Sequence, residues 1–348
     1  MIKRFIIIAF EIISSIIKIF NKVLAPFKRN KFLKKLFWGI YLRLLFQITH
    51  LVALLPLGYH TQNRLAYKLG SLFSPWRQIR PILLHCFQTA LGVNYSEAKH
   101  ILNQWEASKG LATLDIYRYA GMNKEWVKRF VEIDEPEILD KIVKSGGLVL
   151  TYHTFHQHTL AIILGLYGIK LTTVSAPVKN LPYSRYTGRY QHLRLTASEK
   201  KFSGGHYIYT DNIRNMIKSV NAAFSKGDAL LVLSDTHHID STYSPMNFLG
   251  QSIKINAAGI LRMTKSAEVP VYFALIYPDF LGKYRIHLKS IGPLTDLKQG
   301  AQAYFSFFEK HLRKAPWAWQ GWWWYPTMMN HQRLGWWSYP TMNNKLEK

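Results

Sequence analysis

The chain is poor in three things, and each scarcity narrows what it can be. It holds a single cysteine, Cys86, inside the apolar run ILLHCF. One thiol cannot close an intramolecular disulfide, and a place in the core is its simplest role. Acidic residues are the second scarcity: 20 Asp+Glu stand against 45 Lys+Arg, a formal charge of +25. Such an excess is met by an anionic partner or tolerated as self-repulsion. Nucleic acid, acidic lipid and an acidic carrier protein all qualify, but no recognisable nucleic-acid module accompanies the charge. The third scarcity is of clean apolar spans. Residues 1–20 carry Lys3 and Arg4 and then FIIIAFEIISSIIKIF, interrupted by Glu11 and Lys18. No small-residue cleavage site follows, which argues against a cleaved signal peptide. A spanning helix and an anchor lying at the interface both remain open for this stretch.

What is present fits a globular α/β protein at a membrane. With 348 residues, 48% of them hydrophobic, the chain can fill a real core as one large domain or two smaller ones. Aromatics reach 14% with 11 Trp, which favours an apolar or interfacial ligand over a phosphate backbone read by charge. Lys22, Lys28, Arg29, Lys31, Lys34 and Lys35 form a basic cluster suited to anionic headgroups, or else a solvated linker. Residues 36–57 are apolar over a membrane-length window yet hold Arg43, Gln47 and His50 near one face of a helix. They read as a partly embedded amphipathic helix ending near Pro56-Leu57-Gly58, with core packing as the alternative.

Beyond residue 60 the periodicity predicts helices at 63–73, 76–91 and 96–119, the last with Ser96 as cap and Gly110 as a break. Strands follow at 130–133, 148–152, 170–175, 229–233, 269–276 and 284–291, alternating with helices at 135–144, 159–167, 212–225 and 256–264. The expectation is an α/β fold with a central mixed sheet flanked by helices and N-terminal membrane-associated helices. Residues 1–60 would be the anchor, 61–320 the α/β domain and 321–348 a Trp-rich tail. That tail repeats itself, GWWWYPTMMN at 321–330 and GWWSYPTMNN at 335–344. Two short copies do not make a solenoid; they suit either headgroup contact or a duplicated packing segment.

The chain is organised around residues 146–167, GGLVLTYHTFHQHTLAIILGLY. A buried strand there ends at His153, His156 and His158 and runs into a helix, the place where open α/β sheets keep their chemistry. Three uses of these imidazoles compete. His153 can be a general base toward a hydroxyl, a role imidazoles commonly take near neutrality. His153, His156 and His158 can join Asp235, His237, His238 and Asp240 from a second strand end as metal ligands, the basis of a metal-dependent hydrolase reading. Or His156 and His158 simply cap and pack.

Further segments stand in a telling order: Gly-Gly and a hydrophobic strand before His153, an arginine-bearing loop at 180–189, Gly227-Asp228, LLVLSD ending at Asp235, Met246-Asn247-Phe248-Leu249-Gly250, and a Trp-rich end with His331 and Arg333. In this order and spacing, from about residue 130 to 331, the chain resembles the bacterial lipid A biosynthesis acyltransferases, the late lauroyl and myristoyl transferases. The resemblance implies a glycerolipid acyltransferase-like fold at the cytoplasmic face of a bacterial inner membrane. It implies a fatty acyl thioester on acyl carrier protein as donor and a hydroxyl of a lipid A precursor or related glycolipid as acceptor, including the lipid end of a capsular polysaccharide. No metal or nucleotide cofactor is required, and His153 would be the base. Arg185, Arg189 and Arg194 would grip phosphate or carboxylate on the acceptor, unless they are solvated surface arginines. One departure stands out: the family places an acid five residues after its histidine, and this chain has His158 there. His153, His158 and Asp235 are therefore the candidate catalytic set. Either Asp115 or Asp235 supplies the missing carboxylate, or activity is altered or lost.

Overall fold

The computed structural model describes residues 31–72, 79–177, 184–235, 246–253, 258–279 and 282–330. Among the described residues four helices come first: α1 (Lys31–Leu54), α2 (Tyr59–Leu72), α3 (Arg80–Leu91) and α4 (Tyr95–Arg118). α4 opens on a capping box, in which the Asn94 side chain accepts from the Glu97 N–H and the Glu97 carboxylate accepts from the Asn94 N–H. Asn94, not Ser96, is thus the cap. Nor does Gly110 break the helix. A Cβ there would lie 1.8 Å from the Ala66 carbonyl oxygen, so glycine is what lets α2 and α4 touch backbone to backbone.

A short helix α5 (Lys124–Phe130) leads into β1 (Val131–Asp134), and α6 (Glu137–Ser145) into β2 (Gly147–Thr151). Then come α7 (Gln157–Leu166), β3 (Leu171–Ser175), α8 (Ser184–Glu199), β4 (Tyr207–Tyr209), α9 (Ile213–Ser225) and β5 (Ala229–Leu233). A small hairpin of β6 (Met246–Phe248) and β7 (Gln251–Ile253) precedes α10 (Ala258–Ser266), β8 (Pro270–Pro278), β9 (Tyr284–Pro293), α11 (Leu297–Leu312) and α12 (Tyr325–Asn330). Seven strands form one sheet in the order β1-β9-β8-β2-β5-β3-β4, parallel except where β8 meets β9. The expected α/β architecture with a mixed sheet is therefore present. α8 and α11 were not expected as helices, and α8 takes in part of the stretch read as an arginine-bearing loop.

β2 sits at the centre because its residues are buried on both faces. Leu148, Leu150 and Tyr152 point into one core with Phe273, Phe308 and Trp322, while Val149 points into the other with Leu160, Ile163 and Tyr272. The alternation is that of a strand covered by helices above and below. At its start Gly147 has φ +115 and an added Cβ would lie 2.4 Å from the Pro270 carbonyl oxygen, so the close pairing with β8 demands glycine.

The N-terminal helix and the Trp-rich block both pack on this body. α1 buries Leu45, Thr49 and Val52 and exposes Leu44, Leu51 and Leu54. No helix among the described residues is long and apolar enough to cross a membrane. Residues 1–30, where the first anchor was placed, lie outside the described residues, as do the second aromatic copy at 335–344, His331 and Arg333. The first copy is core: Trp322, Trp323, Trp324 and Tyr325 are buried, joined by Trp319 just ahead of it. For these residues, packing and not headgroup contact is what the fold shows.

Candidate functional site

β2 and β5 are parallel neighbours with Thr151 opposite Leu233. The Ser234 N–H donates to the Thr151 carbonyl at 2.9 Å and carries the register past the end of the ladder. Two residues beyond each strand stand His153 and Asp235. Adjacent carboxyl ends thus bring together residues 82 positions apart in sequence.

Asp235 is fully buried, and three donors converge on its carboxylate. Oδ1 accepts from the His153 backbone N–H at 3.0 Å and lies 2.7 Å from His153 Nδ1; Oδ2 accepts from the Trp319 indole N–H at 2.7 Å. A carboxylate only accepts, so the imidazole tautomer that fits this contact carries its proton on Nδ1 and leaves Nε2 with a free lone pair. The His153 side chain keeps 27% exposure, so this lone pair belongs to the reachable member of a buried pair. Charge-assisted bonds to a carboxylate are the strong kind, and they fix the ring as well as its tautomer.

Tryptophans hold the acid from behind. The Trp319 carbonyl accepts from the Trp105 indole at 2.7 Å, and the Trp324 indole donates to the Asp235 carbonyl at 3.1 Å. Trp324 also meets the His153 ring edge to face, with centroids 5.3 Å apart. The Gln320 N–H donates to the His153 carbonyl at 2.7 Å, and Thr154 bridges to Trp319. Sequence reasoning missed Trp319, because a Trp-rich segment signals a membrane interface as readily as a core. Its position just ahead of the aromatic block was the available clue.

The other two histidines go elsewhere. His156 Nδ1 lies 3.2 Å from Asp115 Oδ2, which also accepts from the Tyr284 hydroxyl, and Arg118 stands 3.7 Å from Asp115 Oδ1. This buried cluster ties α4 to the loop before α7 and to β9. Asp115, one of the two acids considered for His153, is therefore the partner of His156. His158, in the first turn of α7, is buried with Nδ1 3.0 Å from the Tyr207 hydroxyl, which in turn bonds the Ser198 hydroxyl at 2.7 Å. Burial, with Arg194 and His153 nearby, pushes the His158 imidazole well below the ordinary histidine value. The His158 ring faces Tyr207, and the carboxylate that meets His153 Nδ1 is that of Asp235.

The arginines separate too. Arg189 is exposed on α8, and the Arg185 side chain lies outside the described residues. Arg194 is half-buried beside Tyr119, Tyr207 and His158, with its Nε buried and without a hydrogen-bond partner. Burial pushes its guanidinium below the ordinary arginine value. Among the described residues no group of three or more His, Cys, Asp or Glu side chains could hold a metal ion. His237, His238 and Asp240, the remaining members of the proposed ligand set, lie outside the described residues. A scan with family models and a search of curated proteins found no match to this chain.

Proposed function

We propose that the chain is a membrane-associated O-acyltransferase that moves a fatty acyl group from an acyl carrier protein thioester to a hydroxyl of a lipid A precursor or related glycolipid. One observation carries the reading: a reachable imidazole is held by a buried carboxylate at the carboxyl edge of an α/β sheet, with Nε2 free to take a proton. The order of segments shared with the lipid A acyltransferases supplies the substrate class. The excess of 45 Lys+Arg over 20 Asp+Glu suits both an acidic carrier and an anionic bilayer at the cytoplasmic face of a bacterial inner membrane.

In this mechanism His153 Nε2 takes the proton of the acceptor hydroxyl as its oxygen attacks the thioester carbonyl. The imidazolium that forms is stabilised by Asp235 through Nδ1. Collapse of the tetrahedral intermediate breaks the C–S bond, and the departing thiolate takes the proton back from Nε2. The products are an ester and a free carrier thiol, with no metal, nucleotide or covalent enzyme intermediate in any step. Arg194, a half-buried cation beside His158, is the arginine we assign to phosphate or carboxylate on the acceptor.

The test is acyl transfer by the purified chain from acyl carrier thioester to glycolipid acceptor. General-base catalysis accounts for about 10² to 10⁴ in rate, so His153→Ala should lose that much with the fold intact. Equal rates for wild type and variant would end the proposal.

A further inference from the structure

We infer that the tip formed by the end of β4 and the start of α9 is a docking surface for an anionic lipid bilayer. The inference rests on reading the chain as an enzyme of lipid substrates. Tyr209, the last residue of β4, is 40% exposed; Ile213, the first of α9, is 68% exposed, and Ile217 one turn later is 41% exposed. Ile213 and Ile217 are four apart and share a helix face. Val220 and Phe224 continue the same stripe of the helix and are buried against the body, so the isoleucines are the end of that apolar face which the body leaves uncovered.

The strand register puts this tip level with the dyad. Tyr209 pairs with Ser175; Thr173 pairs with Leu231, which sets Ser175 level with Leu233; and Leu233 pairs with Thr151. Tyr209, Leu233 and Thr151 therefore end their strands in one row, and His153 and Asp235 follow two residues later. β4 is three strands from β2, about 14 Å along the row at ordinary strand spacing. A flat apolar phase laid on this edge would meet the isoleucines and reach the mouth of the dyad together.

Charge selects the occupant. Arg214 and Lys218, both exposed, flank the isoleucines on α9, and Asp211 is the one acid between Tyr207 and Lys218. Bare isoleucine side chains collared by cations suit a bilayer of anionic headgroups over hydrocarbon, the pattern of interfacial helices.

The test uses the full chain with an environment-sensitive thiol label at Ile213→Cys, and at Val143→Cys as control. Val143 is also exposed, but α6 ends where β2 begins, which puts it toward the opposite edge of the sheet. Cys86 stays silent, since it is buried and its thiol is pushed up to about 12. On phosphatidylglycerol vesicles with brominated acyl chains, the label at 213 should shift to the blue and be quenched at least twofold, while the label at 143 should not change. Absence of quenching at 213, equal quenching at both sites, or shielding at 213 by an acidic carrier protein without lipid quenching would each overturn the surface. Lipid contact is read here without turnover. An unquenched 213 with His153-dependent transfer therefore removes only the surface, and a quenched 213 without such transfer removes only the reaction.

Discussion

Asp235→Asn asks whether the buried carboxylate sets the imidazole, because it removes one charge and almost no volume. Asn has one accepting oxygen and one donating nitrogen, whereas the site presents three donors: the His153 N–H and Nδ1–H to Oδ1, and the Trp319 indole to Oδ2. With the amide nitrogen toward Trp319, two donors face each other and the indole is left unpaired. With the amide turned over, its N–H forces His153 Nδ1 to accept, which moves the ring proton to Nε2 and abolishes the base. Either way one buried donor is orphaned, at about 1–3 kcal/mol. Against a typical total stability of about 5–15 kcal/mol, the variant should remain folded. Transfer should fall by about 10² to 10⁴, comparable with His153→Ala, because the second arrangement loses the base and the first loses the charge that stabilises the imidazolium. Rates from the purified variant are to be read beside its thermal melt. A folded Asp235→Asn protein within threefold of wild type would refute the claim that this acid orients and charge-balances His153.

Two further outcomes follow from the packing. Trp319→Phe keeps a large ring but removes the donor to Asp235 Oδ2; a bond to a charged group is worth about 1.5–3 kcal/mol, so the melt should drop and kcat should fall by less than in Asp235→Asn. In a His153→Ala background the same change should cost no further rate, and an independent loss there would deny Trp319 its action through the dyad. His311, tilted against His287 with centroids 4.0 Å apart, is held down to about 4 by burial and by the neighbouring His287, Lys310 and Lys314, against a weaker upward pull from Asp134. The folded ring refuses a proton that the unfolded chain accepts near 6.5. This contribution is therefore complete above pH 6.5 and is lost as pH falls toward 4, by up to about 1.4 kcal/mol per unit. Denaturant midpoints should decline over that window and decline less in His311→Gln; parallel curves would show that the ring does not titrate this way.

The strand ends were legible because buried strands announce themselves as short apolar runs bounded by Gly or Asp, as at 148–152 and 229–233. The pairing across them was not. That β2 lies beside β5 is a matter of topology, and a spacing of 82 residues carries no trace of a 2.7 Å contact. Local chemistry misled in two places. Gly110 looks like a break, yet it is required for the approach of α2, and no pattern within α4 reveals the neighbour that demands it. Likewise SRYTGRYQHLRLTASE has little amphipathic contrast, so the start of α8 read as part of an arginine-bearing loop and the rest went unassigned; it is helical through packing such as the stacking of Phe46 on Tyr190 at 4.2 Å and the burial of Leu195. Tryptophans at 319 and 322–324 carry a different lesson, since composition left headgroup contact and packing both open and only the fold turns them into the core behind the acid.

This arrangement bears on what would control the proposed base. An acid five residues after the histidine would sit in the first turn of α7, and its orientation would follow that helix alone. Here position 158 is a neutral imidazole spent on Tyr207, and the acid comes from β5 and is clamped by an indole from the C-terminal segment. The geometry of His153 therefore depends on three separate parts of the chain meeting: the end of β2, the end of β5 and the residues around Trp319. Trp105 of α4 bonds the Trp319 carbonyl and extends the dependence to the N-terminal helices. Under the proposed mechanism, a base held by parts so far apart in sequence is set only in the completed fold, so loosening α4 or the tryptophan segment should silence His153 without touching it.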